Sequence, residues 1–304
     1  QGKIMLKNTE ELFKLIEENN PLHKKCLDGL QLSKEEYSDL EKLIIYYKDT
    51  LNITLEEQAK SYIVVLDDTL EETKYFIEFG KYRYSTLAEV ENMVYFNESY
   101  MKQYMVGLAI SSFIWNAHIE VRRYFGKYID NKQTQENTYL EIGPGHGEFF
   151  VTALRSQKFK EYFGIDISPI SCQMSKDMVE NQFGNINTKC EFICKDFTKC
   201  NFNNKADLVV MGEVLEHVEQ PLQFMKDVKA LLNDNGKIFA TIPINAPAID
   251  HIYLFSHPDE VKDLLSKAGL KIKECEYFMA NNYSLEKALK TKNAIVMAVV
   301  LEKE

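Results

Sequence analysis

Two hydrophobic periodicities divide the chain. From residue 3 to about 130, apolar positions recur every three to four residues, as in amphipathic helices, with Leu12, Phe13, Leu15 and Ile16 as the first example. Ser33-Lys-Glu-Glu36 has the form of a capping box and predicts a helix through Tyr47. Thr54 to Phe79 predicts a second helix, ending near Gly80, and Leu87 to Met93 a short third. Asn97 predicts the cap of one long helix from Glu98 to about Ile129, with Met101, Tyr104, Met105, Leu108, Ala109 and Phe113 on one side. The polar run Asp130 to Asn137 has nothing to bury, so it predicts a boundary between a helical domain, 3–130, and a second domain, 138–304.

After Thr138 the pattern becomes short apolar runs alternating with amphipathic helices, which describes a mostly parallel sheet covered on both faces. Seven strands are predicted: Tyr139 to Ile142, Tyr162 to Ile165, Cys190 to Cys194, Leu208 to Met211, Lys237 to Ile242, Lys271 to Phe278 and Ala294 to Leu301. Helices are predicted at Gly147 to Phe159, Pro169 to Phe183, Pro221 to Leu232, Asp259 to Ala268 (ended by Gly269) and Leu285 to Leu289. The fold class is α/β, a doubly wound seven-stranded sheet with an all-helical N-terminal domain.

With 304 residues, 45% of them hydrophobic, the chain can bury a large core. A net charge of -10 disfavours an unassisted grip on nucleic acid or anionic lipid, whose phosphates are neutralised by Lys and Arg, and leaves a small-molecule substrate as the default partner. No uninterrupted apolar run reaches membrane-spanning length, and no basic-then-apolar leader is seen, so the expected location is cytoplasmic with no membrane association. Gln1-Gly2 reads as a protease-cleavage remnant. The six cysteines contain no C-x-x-C pair. Cys190 and Cys194 share strand parity, so strand packing accounts for them better than metal binding, and reduced, buried thiols are expected.

Candidate chemistry begins at Tyr139-Leu-Glu-Ile-Gly-Pro-Gly-His-Gly147, a strand, glycine turn and helix start where a ligand can lie against bare backbone at a helix N-terminus. Glu148 stands where a dinucleotide fingerprint needs its third glycine, so that motif fails. The spacing Glu141-x-Gly143-x-Gly145-x-Gly147 instead resembles the first motif of the class I S-adenosylmethionine-dependent methyltransferases. The resemblance covers residues 138–304 and implies a sheet order of 3-2-1-4-5-7-6 with an antiparallel last strand. It also implies that the glycines cradle the methionyl part of the cofactor and that Glu141 helps hold its ammonium group. Asp166 ends the second strand nineteen positions after Gly147, where a carboxylate can accept both ribose hydroxyls, or merely cap the helix that starts near Ser168. Asp196-Phe197 follows the third strand. In the family such a pair receives and packs the adenine, and an Asp turn is the alternative.

After the fourth strand, Gly212-Glu-Val-Leu-Glu-His-Val-Glu-Gln-Pro221 resembles the corresponding motif of the branch that includes the ubiquinone-biosynthesis O-methyltransferases, which adds Glu213 to the cofactor candidates. Glu213, Glu216 and His217 stand at i, i+3 and i+4, so one helical turn would present two carboxylates and an imidazole together. His251, in the proline-containing loop after strand 5, could complete a two-Glu, two-His site for a divalent ion. The arrangement is similar to the metal site of the small-RNA 2′-O-methyltransferases, where the ion holds the acceptor hydroxyls. Without an ion, His217 or His251 is a candidate general base. Asn245, Asp250, His251 and Tyr253 are candidates to face the acceptor, whereas His146 and His257 are expected in plainer roles at the cofactor turn and a helix entry. Tyr75, Phe76, Tyr82, Tyr84, Tyr104 and Trp115 read either as a pocket lining or as core aromatics, with no site role assigned.

These features predict methyl transfer from S-adenosylmethionine to an oxygen or nitrogen of a small molecule, with a divalent ion as a possible second cofactor and the helical domain as lid and acceptor selector. RNA methylation and a non-catalytic binding protein of the same fold are the competing functions, the first disfavoured by charge and the second by the intact glycine motif and Asp166.

Overall fold

The computed structural model describes residues 6–184 and 187–304; Gln1-Gly2 and the first residues of the expected helical domain lie outside them. The N-terminal helices are α1 (Lys7–Asn19), α2 (Lys24–Asp28), α3 (Lys34–Ile45), α4 (Leu55–Phe79), α5 (Leu87–Val90), α6 (Glu98–Ser111) and α7 (Asn116–Asp130). Capping boxes at Ser33/Glu36 and Thr54/Glu57 begin α3 and α4, and Gly80, in the left-handed conformation, ends α4. The long helix expected over 98–129 is broken. Ser111 and Ser112 turn their hydroxyls back onto the Leu108 carbonyl (2.7 and 3.3 Å), the Arg122 Nε takes the Ser112 carbonyl (3.2 Å), and the chain re-enters a helix only after Trp115.

The second half comprises β1 (Glu136–Ile142), α8 (Glu148–Ser156), β2 (Phe159–Asp166), α9 (Pro169–Phe183), β3 (Lys189–Cys194), β4 (Ala206–Gly212), α10 (Pro221–Ala230), β5 (Leu232–Ile244), α11 (Pro258–Lys267), β6 (Leu270–Met279), α12 (Leu285–Thr291) and β7 (Ile295–Lys303). They form one seven-stranded sheet of order β3-β2-β1-β4-β5-β7-β6. The first five strands in that order are parallel, and β7 runs antiparallel to both β5 and β6. This is the order that the resemblance implies. β1 starts three residues earlier than expected, because Glu136 of the polar run already pairs with Phe159.

Side chains alternate between two cores with the two-residue period of strands. Leu140, Val209, Met211, Ile238 and Ala240 join α10 and α11 on one face. Tyr139, Leu208, Val210 and Phe239 join a continuous core with the N-terminal helices on the other. α7 lies on the sheet, with Phe125 and Tyr128 against Phe239 (ring centroids 5.1 and 5.4 Å). α3 is tied to α7 by Glu36, which meets both Arg122 and Arg123 and is held down to about 2 despite its partial burial. The helical half is thus anchored over the carboxyl edge of the sheet. Of the six thiols only Cys172 is buried; Cys26 and Cys194 are exposed and the other three intermediate, and for Cys190 and Cys194 the reason is that β3 is an edge strand whose faces are only half covered. No helix among the described residues is long and apolar enough to cross a membrane.

Candidate active site

The carboxyl ends of β1, β2, β4 and β5 meet α4, α6 and α7 around one cavity of about 1500 Å³. The pockets of small ligands usually run to about 300–1000 Å³, so this one has room for two molecules side by side. At its sheet end, Gly143, Gly145 and Gly147 adopt φ of 66°, 59° and 90°, a path that a Cβ would strain. The loop is fixed from both sides. The Gly143 amide donates to the Ile165 carbonyl (2.8 Å), and the Gly145 amide to Oδ2 of Asp166 (3.1 Å). Oδ1 of Asp166 accepts from the Ser168 amide (2.9 Å), so the helix-entry role is present, yet each oxygen retains a further lone pair toward the cavity it lines. Burial pushes the Asp166 carboxyl up to about 6, against the pull of those two amides. Glu141, buried at the end of β1, accepts from the Tyr139 hydroxyl (2.6 Å), and burial pushes it up to about 8.

Asp196 and Phe197 line the same cavity. Oδ1 of Asp196 accepts from the Thr198 amide and hydroxyl (2.9 and 2.7 Å), an Asp turn that leaves Oδ2 available, while the Phe197 ring packs on Phe224 at 5.1 Å. His146 accepts from the Glu148 amide (3.3 Å) and His257 caps α11, the plain roles expected of both.

The segment after β4 differs from the expected helical turn. β4 runs through Gly212, Glu213 takes a left-handed φ of 55°, and a short 3₁₀ turn follows at Leu215–His217. Thr241 on β5 holds this geometry, accepting the Glu213 amide on both its carbonyl and its hydroxyl (3.1 and 3.0 Å). Three of the four expected ligands therefore come together, with one donor atom each of Glu216, His217 and His251 within 4.8 Å of one another. Glu213 stands outside that group. It lines the cavity as a buried carboxyl pushed up to about 8, first by burial and then by Glu216.

Glu216 is fully buried, and neither carboxylate oxygen has a hydrogen-bond partner among the described residues. Nε2 of His217 lies 3.3 Å and Nε2 of His251 3.9 Å from its Oε1. Each imidazole commits its other nitrogen to a main-chain carbonyl. Nδ1 of His217 donates to Asp250 O (2.9 Å) and Nδ1 of His251 to Ala246 O (2.6 Å), since a carbonyl can only accept. Burial alone would lower His217, but the Asp250 and Glu216 carboxylates raise it to about 10; His251 is lowered, chiefly by burial. The loop that carries His251 is bound to the 3₁₀ turn by the Ile252 and Tyr253 amides, which both donate to the Glu216 carbonyl (2.8 and 3.0 Å).

Asp250 is buried beneath His217. Its Oδ2 accepts from Tyr95 (3.1 Å) and its Oδ1 from Tyr104 (2.9 Å), and the Tyr95 oxygen also meets Nδ1 of His217 (3.0 Å). Burial would raise the Asp250 carboxyl, but His217, His251 and the two tyrosines hold it below the usual carboxylate range. Tyr82 accepts from the Ala246 amide (3.1 Å). Asn245 lines the cavity, whereas Tyr253 packs on Phe255 (4.8 Å) instead of facing it. Sequence reasoning passed over Tyr95 and left Tyr82 and Tyr104 unassigned, because their partners are about 120 to 165 positions away and no local pattern marks such a pairing.

Comparison with known proteins gives the family and the fold. A family model described as a methyltransferase domain matches residues 119–274, half of the chain. The ubiquinone biosynthesis O-methyltransferase of Coxiella burnetii is 30% identical over 146 residues, which cover 46% of this chain and 58% of that protein. The chain thus spans little more than half the length of the curated relatives it matches. Among solved structures, mitomycin 7-O-methyltransferase superposes with a TM-score of 0.54 over 82% of this chain and 70% of its own, at 10% identity. The magnesium protoporphyrin IX methyltransferase of Synechocystis PCC 6803, solved with bound S-adenosylmethionine, gives 0.50 over 66% and 84%, at 13% identity. At those identities the superpositions establish the fold. The chain belongs to the class I S-adenosylmethionine-dependent methyltransferases. The matched domain is joined to a helical N-terminal segment that lies mostly outside the family model.

Proposed function

We propose that the enzyme methylates a hydroxyl oxygen of a small molecule, with a divalent metal ion held by Glu216, His217 and His251. The observation that carries the reading is the Glu216 carboxylate, buried without a hydrogen-bond partner and faced by two imidazole Nε2 atoms. A buried carboxylate in that condition costs several kcal/mol unless a cation compensates it. Imidazoles that ligate a metal commonly give their second N–H to a carbonyl or carboxylate, the pattern that both histidines show here. Two His and one carboxylate suit a first-row transition ion and leave positions open for oxygen ligands. An ion there would supply Lewis acidity, making an acceptor hydroxyl more acidic.

S-adenosylmethionine, when bound, supplies an electrophilic methyl group. The chain's task is then alignment and exclusion of water. Asp166 accepts the ribose hydroxyls, Glu141 faces the ammonium group, Asp196 and Phe197 take the adenine, and the glycine loop with Glu213 closes the methionyl end. Asp250 and Tyr95 orient His217, and the Ala246 carbonyl orients His251. Helices α4 to α6 act as the lid that selects the acceptor, the role proposed for the domain 3–130. A nitrogen acceptor is the less supported variant, since the oxygen-seeking character of the site favours a hydroxyl. The negative overall charge weighs against RNA.

The test is release of S-adenosylhomocysteine across a panel of hydroxylated small molecules, with and without exhaustive chelation, alongside metal content of the purified protein. Loss of activity on chelation and recovery with magnesium, manganese or iron is expected. Activity that survives chelation would leave His217 and His251 as general-base candidates, and absence of S-adenosylmethionine binding by calorimetry would remove the reading altogether.

A further inference from the structure

The cavity does not end at the metal-ligand group. Helix α4 lines it with Val65, Leu66, Thr69, Leu70, Thr73 and Ile77, positions that share one face of a helix. At 1.5 Å rise per residue, Val65 to Ile77 is a strip about 18 Å long. Of its two threonines, Thr73 donates its hydroxyl to the Thr69 carbonyl within the helix (2.7 Å). The opposite surface of α4 carries charge, as in the exposed pair Glu71 and Lys74. Leu70 and Ile77 are 48% and 78% exposed, and Leu22, facing the same cavity from the turn before α2, is 93% exposed. These are three of the six large hydrophobic side chains that stand exposed among the described residues. The strip lies wholly in the helical segment before residue 119, outside the matched family model.

A helix stripe that is apolar, continuous with the reaction cavity and, beyond the buried Val65, exposed at Leu70 and Ile77 has its counterpart in the ligand. Hydrocarbon placed there removes apolar surface of both partners from water. We infer that the acceptor carries its hydroxyl group on a head at the Glu216, His217 and His251 end and a long, flexible hydrocarbon chain that lies along α4 toward Leu22, Leu70 and Ile77. The inference rests on the proposed reaction for the identity of the head and on the helical segment alone for the tail. At that end Trp115 Nε1 donates to the Tyr62 hydroxyl (2.8 Å) and that hydroxyl meets Nε2 of His23 (2.5 Å), so these three polar groups are satisfied within the protein.

The experiment is calorimetric binding of methyl-, butyl-, hexyl- and octylcatechol to the full chain saturated with S-adenosylhomocysteine, with methyl transfer measured separately. Affinity is expected to rise about two- to fourfold for each added methylene, the increment that burial of hydrocarbon gives. Leu70→Asp and Ile77→Asp, at exposed positions that tolerate charge in the folded state, should lower the ratio of octyl- to methylcatechol affinity at least tenfold, and Ile77→Ser should lower it by less. Affinity independent of chain length, or an unchanged ratio in both aspartate variants, would overturn the inference. Chain-length dependence without methyl transfer would uphold the groove and refute the reaction assigned to the head; methyl transfer indifferent to chain length would uphold the reaction and refute the groove.

Discussion

Asp166, the proposed acceptor of the ribose hydroxyls, joins the glycine loop to the end of β2. Its two oxygens hold the Gly145 and Ser168 amides, so the carboxylate is preset before any nucleoside arrives. Replacing it with Ala should leave the fold intact and weaken S-adenosylmethionine binding by about 1 to 3 kcal/mol, read by calorimetry, because the ribose loses its charged acceptor. A pH dependence follows from the same group. Burial raises the carboxyl to about 6 in the empty site, and the ligand needs the ionised form. Affinity is therefore present above that value and should fall about tenfold per unit as pH drops below it. Asp166→Asn should abolish that step along with most of the affinity, and a wild-type titration flat through this range would take Asp166 out of the ribose site.

At the level of elements, the cavity depends on how closely α4 and α6 cross. Gly107 permits that approach, since a Cβ there would lie 2.5 Å from both the Ser61 carbonyl oxygen and a Val65 methyl. Gly107→Ala should cost about 1 to 3 kcal/mol of stability in a denaturant melt, and it should also shift acceptor affinity because Val65 lines the cavity. An Ala variant as stable as the parent would mean that the helices separate freely. The sheet was legible because its central strands, buried on both faces, leave short continuous apolar runs and the first four strands end in motifs, and α9 was legible because Ser168 and Pro169 mark its start. The break between α6 and α7 was not, because it depends on serine hydroxyls competing for one carbonyl and on a distant arginine, neither of which disturbs the hydrophobic period. For the same reason the Glu213 to His217 segment reads as a helical turn in sequence, whereas Thr241 on the neighbouring strand pulls Glu213 into the left-handed region and out of the ligand group. Even so, Glu216, His217 and His251 converge, because the β5 loop is bound to the Glu216 carbonyl.

Across the whole molecule, the helical half reaches the reaction site through hydroxyl groups. Tyr95, before α6, and Tyr104, within it, both donate to Asp250, and Asp250 with Tyr95 fixes the imidazole of His217. The family model starts at residue 119, so these contacts are made by chain that precedes it. The lid proposed above would do more than cover the acceptor, because any displacement of α6 removes donors from a buried carboxylate and frees a ring that the proposed metal needs held still. Tyr95→Phe deletes one oxygen and keeps the ring. It should cost about 1 to 3 kcal/mol of stability, since Oδ2 of Asp250 is left buried with one donor fewer. Methyl transfer should fall through kcat and through weaker metal retention in a chelator competition, while S-adenosylmethionine affinity stays within about twofold because the glycine loop and Asp166 are untouched. Tyr104→Phe should destabilise to a similar degree with a smaller loss of metal, as Tyr104 meets Asp250 but not His217. If both variants kept full activity and full metal, the tyrosines would be packing residues alone, and the helical half would act on the acceptor only through the walls of the cavity.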